Sequence, residues 1–233
     1  KDLSSFLPQR SLSDEHPDQF PLTGVKRDEF AEIYFAKVVG AEPRKKSRRE
    51  VIIPQQFSHR LRSPVRIVVA GTAGGRVQSA AGMFAEAAVQ CGLNITQKND
   101  NPVTQGSGFS LSELCISPES IDYTGVDHPD AVLIVSEDGL HELTLIGTLD
   151  RVTPHTVVVV DSGVPLRLAQ GREHQFPFRK EFGAKQAALA AVAYYVQLTD
   201  VIPTPTFLEV LKTRSPDLET WFLVEFLRKV RGQ

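Results

Sequence analysis

The sequence is poor in the residues that hold metals and metal clusters. Among its 233 residues there are only two cysteines, Cys91 and Cys115, together with one methionine and one tryptophan. Two distant cysteines cannot supply the ligands of an iron–sulfur cluster or of a four-ligand zinc site. The histidines are scattered and show no metal-ligand spacing. We therefore expect no metal site on this chain and two buried, free thiols.

Long apolar runs and a strong net charge are absent as well. The longest wholly apolar run, residues 187–196, is too short to cross a bilayer. A formal net charge of −2 does not favour binding to nucleic acid, and no secretory signal is visible at the start. The sequence therefore predicts a cytoplasmic protein with no membrane and no nucleic-acid partner.

The sequence also lacks a recognisable set of catalytic residues. The sequence has no Gly-x-Ser-x-Gly elbow, and its histidines are not grouped with nucleophiles. Glu137 and Asp138 form an adjacent acidic pair, which we expect to cap a helix rather than to act as acid and base. We assign no catalytic residue, and the chain is typical of a binding and docking domain.

What the sequence does have is an alternation of short apolar runs with helical patterns. Strands are predicted at 66–70, 93–96, 109–116, 131–135 and 156–160, with a short strand or extended loop at 176–178 and a polar loop at 98–108. Helices are predicted at 77–91, 137–149, 185–198, 203–212 and 217–230. This order predicts an α/β three-layer sandwich, with a mostly parallel sheet and helices on both faces.

Residues 1–62 differ from the rest and are predicted to form an N-terminal docking extension or linker. They begin with prolines and serines, and residues 28–39 show an amphipathic helical pattern that ends at Gly40. The basic run 44–49 is interpreted as a solvated linker, the alternative being an arm that holds an acidic surface or a phosphate. Residues 63–233 are predicted to form the single α/β domain.

The stretch around the first predicted strand suggests a binding site. A buried strand, a glycine-rich turn and an Ala-rich helix place free N–H groups where an anionic group could bind. Since ligands meet the carboxyl ends of parallel strands, segments 71–76, 97–108 and 136–138 should gather there. The candidate binding residues are Gly71, Thr72, Gly74, Gly75, Arg76, Gln97, Asn101, Gln105 and Gly106.

The turn does not match the dinucleotide-binding fingerprint. Gly-x-Gly-x-x-Gly would require glycines where Ala73 and Arg76 stand, and no acidic residue is expected to close the next strand. Three interpretations stay open for the turn: an NAD(P)-binding module with Arg76 on a 2′-phosphate, a phosphate or partner contact, and glycines that serve only strand–helix packing.

The same stretch resembles the gamma subunit, or gamma domain, of 2-oxoacid:ferredoxin oxidoreductases. At the first turn that family usually has a glycine, then an aromatic or aliphatic residue, then Gly-Gly-Gln-Gly-Val. Residues 71–77 of this sequence read Gly-Thr-Ala-Gly-Gly-Arg-Val. Ala-Glu-Ala-Ala at 85–88, Thr-Gln at 96–97 and Ile-Ser at 116–117 also match. The family loop ends in Arg-Gly-Gly, whereas residues 105–107 read Gln-Gly-Ser. The resemblance covers about residues 64–230.

The resemblance implies a gamma-type subunit of an enzyme that oxidatively decarboxylates a 2-oxoacid to an acyl-CoA. It implies that thiamine diphosphate, Mg and [4Fe-4S] clusters lie on partners, namely thiamine-binding alpha/beta-type and ferredoxin-like subunits. The gamma domain lies beside the thiamine site and helps to enclose coenzyme A in members that use it. Residues 20–43 resemble the tail of the thiamine-binding subunit. A stand-alone NAD(P)-binding module and a non-catalytic scaffold remain the alternatives.

Overall fold

A computed structural model describes residues 53–101 and 108–214, and all structural statements concern these residues. They form one six-stranded sheet flanked by helices. The strands are β1 (Val65–Thr72), β2 (Asn94–Asp100), β3 (Phe109–Ser117), β4 (Ala131–Ile134), β5 (Val157–Asp161) and β6 (Arg172–Phe176).

The sheet has the strand order β2-β3-β1-β4-β5-β6 and is mostly parallel. β1, β4, β5 and β6 are parallel neighbours, whereas β3 runs antiparallel to both β1 and β2. The segment that joins β2 to β3 is short, and such a connection reverses the chain, whereas a parallel pair needs a long crossover. The predicted mostly parallel sheet is confirmed, with β3 as the single strand of opposite direction.

Helices cover both faces of the sheet, which confirms the predicted three layers. The helices are α1 (Val77–Gln90), α2 (Glu137–Leu145), α3 (Phe178–Phe182), α4 (Ala187–Thr199) and α5 (Thr204–Arg214). One core joins Ile67, Val69 and Leu133 of the sheet to α1, α3, α4 and α5. The second core joins Val68, Val132 and neighbouring strand residues to Leu143 of α2 on the opposite face.

Several predicted boundaries shift. Residues 98–100, predicted as loop, belong to β2 because they pair with β3, and their polar character fits an edge strand. The helix predicted at 137–149 ends at Leu145 and is followed by a 3₁₀ turn at Leu149–Arg151. Residues 172–176 are a strand, and a short helix begins at Phe178 where an extended segment was predicted. The helices predicted at 28–39 and 217–230 lie outside the described residues.

The segment that precedes β1 lies against the domain. The N–H groups of Gln56 and Phe57 both donate to the Gln90 carbonyl at the end of α1, at 2.8 and 3.1 Å. Phe57 and Leu61 are partly buried against the core of that face. Residues 53–61, which were predicted to belong to the extension, therefore pack on the α/β domain through these contacts.

The described residues also bear on what the sequence predicted about membrane spans, metal sites and free thiols. Within residues 53–101 and 108–214, no helix is long and apolar enough to cross a membrane. The same residues contain no group of three His, Cys, Asp or Glu side chains that could hold a metal ion. Cys91 and Cys115 are buried and free, as predicted.

Candidate functional site at the carboxyl edge of the sheet

The three predicted segments do meet at the carboxyl end of β1. The Thr72 hydroxyl donates to the Asp138 carboxylate at 2.7 Å, which joins the end of β1 to the first turn of α2. On the other side, the Ala73 N–H donates to the Gly108 carbonyl at 2.8 Å, which joins the turn to the end of the β2–β3 loop. The turn between β1 and α1 is thus held between α2 and the hairpin loop.

The backbone of this turn explains its glycines. Gly74 has φ +79°, and the Gly75 N–H closes the turn on the Thr72 carbonyl at 2.9 Å. A Cβ on Gly75 would lie 2.9 Å from that same carbonyl oxygen. Arg76 has φ +57° and ψ +28°, a left-handed conformation that costs a non-glycine residue about 1 kcal/mol. It stands where the family pattern has glycine.

The N-terminus of α1 is electrostatically uncompensated within the described residues. Arg76 occupies the N-cap without capping by its side chain, and the first turn of α1 carries no acidic residue. A cleft of about 170 Å³ lies beside it, lined by the exposed Arg76 and Lys185 together with Ser79 and Met83. The first N–H groups of a helix carry partial positive charge, so this cleft favours an anionic group.

On the α2 side of the site, the helix is capped by a different residue from the one predicted. Ser136 is the N-cap, and its hydroxyl accepts the Gly139 N–H at 3.2 Å. Glu137 and Asp138 follow in the first turn, where acidic side chains complement the helix dipole. The expected capping by the acidic pair was wrong in that detail, because Asp138 accepts the Thr72 hydroxyl instead.

The β2 side carries a set of hydrogen-bonded amides. Gln97 Nε2 donates to the Gln78 carbonyl of α1 at 3.2 Å and to Asn99 Oδ1 at 2.9 Å. The hydroxyl of the fully buried Ser112 on β3 donates to the same Asn99 oxygen at 2.7 Å. Asn99 was missed as a site residue, although its i, i+2 spacing from Gln97 on a strand places both on one face. Asn101 is exposed at the start of the loop.

Not every predicted site residue can be placed. Gly71 and Thr72 end β1, Gly74, Gly75 and Arg76 lie in the turn that follows it, and Gln97 lies on β2 of the neighbouring hairpin. Gln105 and Gly106 lie outside the described residues. The structure therefore brings the first turn, the α2 turn and the Gly108 end of the β2–β3 loop together, and their binding role remains a prediction.

Contrary to the prediction, an acidic residue does end β2. β2 extends to Asp100, which pairs with Leu111 of β3. In the dinucleotide-binding fold the ribose-binding acid ends the strand next to β1. Here β3 lies between β2 and β1, so Asp100 is two strand spacings, about 10 Å, from the first strand. This strand order disfavours a ribose contact of the dinucleotide-binding kind.

The two buried thiols are held in their neutral forms. Burial raises the pKa of the Cys91 thiol, which Thr206 contacts at 3.8 Å, and burial also raises the pKa of the Cys115 thiol. A thiol with a raised pKa is a weak nucleophile because the thiolate is the reactive form. Neither cysteine is therefore suited to nucleophilic catalysis.

The comparisons with known proteins bear on the family and the fold. The sequence model of the family described as pyruvate ferredoxin/flavodoxin oxidoreductase matches residues 66–220. That match spans the sheet and both flanking layers, and it confirms the resemblance seen in the sequence. No curated protein sequence is significantly similar to the chain.

Solved structures share the fold at low sequence identity. The gamma subunit of keto/oxoacid ferredoxin oxidoreductase from Geobacter sulfurreducens is 21% identical, with TM-score 0.58, and the match covers 71% of this chain and 93% of that one. Subunit PORC of pyruvate oxidoreductase from Thermotoga maritima is 16% identical, with TM-score 0.55 and coverages of 72% and 95%. A 2-oxoglutarate:ferredoxin oxidoreductase from Magnetococcus marinus, solved with 2-oxoglutarate, coenzyme A and succinyl-CoA, is 18% identical, with TM-score 0.60 and coverages of 72% and 30%.

Proposed function

This chain belongs to the pyruvate ferredoxin/flavodoxin oxidoreductase family, and from that membership we propose that it is a gamma-type subunit of a 2-oxoacid:acceptor oxidoreductase. The assembled enzyme would oxidatively decarboxylate a 2-oxoacid. Thiamine diphosphate with Mg, and [4Fe-4S] clusters, would be held by thiamine-binding alpha/beta-type and ferredoxin-like partner subunits. The free thiols of Cys91 and Cys115 fit a reducing compartment such as the cytoplasm.

The observation that carries this proposal is the uncompensated N-terminus of α1 at the carboxyl edge of the sheet. Arg76 and the N–H groups of the first turn of α1 are hydrogen-bond donors, as an anionic oxygen requires, and the Asp138 carboxylate on the α2 side of the edge accepts from Thr72. The residues present therefore fit the phosphate groups of coenzyme A or the carboxylate of a 2-oxoacid. The proposed site comprises Gly71, Thr72, Gly74, Gly75, Arg76, Gln97, Asn101, Gln105 and Gly106.

In this proposal the chain binds and orients, and it does not carry the reacting group. Thiamine diphosphate on the partner supplies the decarboxylation chemistry when it is bound. Arg76 would neutralise an anionic oxygen of the ligand, and the first-turn N–H groups would hold that oxygen in place. The Thr72–Asp138 and Ala73–Gly108 hydrogen bonds hold the turn in position, so its donors need not reorganise when a ligand arrives.

Purification of the untagged protein from its native source is the first test. Large thiamine-containing and iron–sulfur subunits should co-purify with the chain, and the separated chain should neither oxidise 2-oxoacids nor show iron–sulfur absorption. Oxidation of a 2-oxoacid by the single chain with added thiamine diphosphate would contradict the proposal.

Ligand titration of the assembled complex is the second test. Arg76→Ala should weaken coenzyme A binding by about 1.5–3 kcal/mol, roughly 10- to 150-fold, which is the usual scale for a hydrogen bond to a charged group. NADP serves as the comparison ligand. A loss confined to NADP would favour the NAD(P)-binding alternative, and unchanged binding of both ligands would leave the glycines as packing residues.

A further inference from the structure

A chain of hydrogen bonds fixes which way the Asn99 side chain faces. The chain runs from the Gln78 carbonyl through Gln97 to Asn99, with Ser112 as a second partner of Asn99, and we refer to these four groups as the amide relay. It crosses three elements: the first turn of α1, the edge strand β2 and the adjacent strand β3. Asn99 is the exposed end of this relay, whereas Ser112 is fully buried.

The chemistry of the groups permits one orientation of the relay. The Gln78 carbonyl is a backbone acceptor and cannot donate, so Gln97 must turn its NH₂ group toward it. The same Gln97 nitrogen lies 2.9 Å from Asn99, so Asn99 must present its oxygen there as an acceptor. With Gln97 Oε1 in place of the nitrogen, two acceptors would face each other at the Gln78 carbonyl, and the bond would be lost.

The consequence is that the Asn99 NH₂ group is the free end of the side chain. Its oxygen already accepts from Gln97 and from Ser112, at 2.9 and 2.7 Å. Its Nδ2 makes no hydrogen bond to the residues that the structure describes, and Asn99 is exposed. An amide that is otherwise free to rotate is therefore held as a donor. It lies on the strand that is tied to the first turn of α1.

We propose that Asn99 donates a hydrogen bond through Nδ2 to an anionic oxygen of the ligand bound at the carboxyl edge, and that Gln97 is the positioning residue that fixes this orientation. This inference rests on the proposed function, because it adds a binding residue to that site. Arg76, the N–H groups of α1 and the Asn99 amide are all donors, so they share one ligand chemistry. That chemistry is a carboxylate or a phosphate oxygen.

Pre-organisation is the physical benefit of the relay. A free asparagine amide would lose rotational freedom on binding, whereas Asn99 is already oriented before the ligand arrives. The relay also couples β2 to α1, so the donor on the edge strand keeps a fixed position relative to the helix N-terminus. Because its buried end is Ser112, the relay is supported from inside the sheet.

Two substitutions reverse the polarity of the outward group by different routes. Asn99→Asp keeps an oxygen for Gln97 and Ser112 but replaces the outward NH₂ with a carboxylate oxygen. Gln97→Glu removes the donor that faces Asn99, so the Asn99 amide should turn over and present its oxygen outward. Asn94→Asp is the matched control, because it makes the same change at the far end of the same strand.

Titration of the assembled complex with coenzyme A and, separately, with pyruvate tests the contact. Asn99→Asp and Gln97→Glu should each weaken the binding of one or both ligands at least tenfold. The affinities of Asn94→Asp should stay within twofold of those of the wild type. A loss for coenzyme A alone identifies a phosphate oxygen, and a loss for pyruvate alone identifies a carboxylate. Unchanged affinity in Asn99→Asp, alongside a loss in Arg76→Ala, overturns this inference and leaves the proposed function standing. Absence of binding in wild type overturns both.

Side-chain amide NMR of the full chain without ligand tests the orientation independently of binding. The Gln97 NH₂ protons should exchange slowly with water, and the Asn99 NH₂ protons should exchange quickly. Gln97→Glu should slow the exchange of the Asn99 protons, because they would then donate to the carboxylate that this substitution introduces. Slow exchange of the Asn99 protons in wild type would overturn the relay, whatever the affinities show.

Discussion

Thr72 and Asp138 stand 66 positions apart in the sequence and share a hydrogen bond of 2.7 Å between Oγ1 and Oδ2. The bond joins the last residue of β1 to the first turn of α2, across the carboxyl edge where β1 and β4 run side by side. Because the Thr72 carbonyl also closes the turn by accepting from Gly75, one residue fixes the turn through its backbone and its side chain. The position of the proposed binding loop therefore depends on α2.

Removal of this hydroxyl should loosen the turn without unfolding the domain. Thr72→Val keeps the shape of the side chain and loses the bond to the exposed Asp138, so we expect a loss of about 0.5–1 kcal/mol in the free energy of unfolding. Urea denaturation of the full chain measures this change. Thr72→Ser retains the hydroxyl and is the control; a loss as large in Thr72→Ser would show that the methyl group, and not the bond, matters.

Arg76 combines a strained backbone with a charge, and two substitutions separate these properties. Arg76→Gly and Arg76→Ala both remove the guanidinium, but only glycine adopts φ +57° without steric cost. We expect the Gly variant to be more stable than the Ala variant by about 1 kcal/mol in thermal or urea unfolding. Both should lose the same affinity for coenzyme A. Equal stabilities would argue against a left-handed Arg76.

Asp161 stabilises the region after β5 through two backbone groups. Its carboxylate accepts the Gly163 N–H at 2.9 Å and the Arg179 N–H at 2.6 Å, and the residue is only 4% exposed. The second bond caps α3, whose N-cap residue, Pro177, has no side-chain cap of its own. Asp161→Ala should lower the free energy of unfolding by about 2–3 kcal/mol.

Asp161→Asn is the control for that experiment, because the amide keeps one acceptor oxygen of the two. We expect it to cost less than Asp161→Ala, with the difference visible in the midpoint of a urea curve. If Asn and Ala were equally destabilising, the negative charge beside the helix N-terminus would be the main contribution.

The two buried thiols should make the stability of the folded chain depend on pH in a definite direction. Burial raises the pKa of Cys91 and of Cys115 above the ordinary value of about 8.5, so the folded state favours the protonated thiols. Their contribution to stability is complete below that ordinary value and is lost as the pH rises through the raised pKa. Stability should therefore fall on the alkaline side, and Cys91→Ala/Cys115→Ala should flatten that fall.

Thiol labelling gives a second readout of the same burial. Both cysteines should react slowly with a disulfide reagent at pH 8 in the folded chain, and rapidly in urea. Fast labelling of the folded chain would contradict the burial of the thiols.

The sequence predicted the elements whose local pattern agrees with their tertiary environment. β1 and β4 are apolar runs because both faces of the central sheet are covered, and α1 shows small residues at helical spacing where it approaches the strands. The glycines between β1 and α1 marked the turn correctly. These features predicted the fold class and the place where the chain segments meet.

The parts that the sequence did not predict depend on contacts between distant residues. β3 runs antiparallel because only a short segment joins it to β2, and the direction of a strand leaves no periodic pattern in its sequence. The polar end of β2 resembles a loop because an edge strand needs no apolar face. The orientation of Asn99 depends on the Gln78 carbonyl of another element, so no local signal could reveal it.

The antiparallel hairpin has a consequence for how this scaffold changes over evolution. β2 and β3 pair over seven residues, from Asn94–Ser117 to Asp100–Leu111, and in the sequence the segment 101–108 connects them. Doubling the length of a flexible connection costs only about 0.6 kcal/mol. Insertions and replacements in that segment should therefore leave the seven-residue pairing of β2 and β3 intact, so the length and sequence of the connection can diversify without loss of the fold.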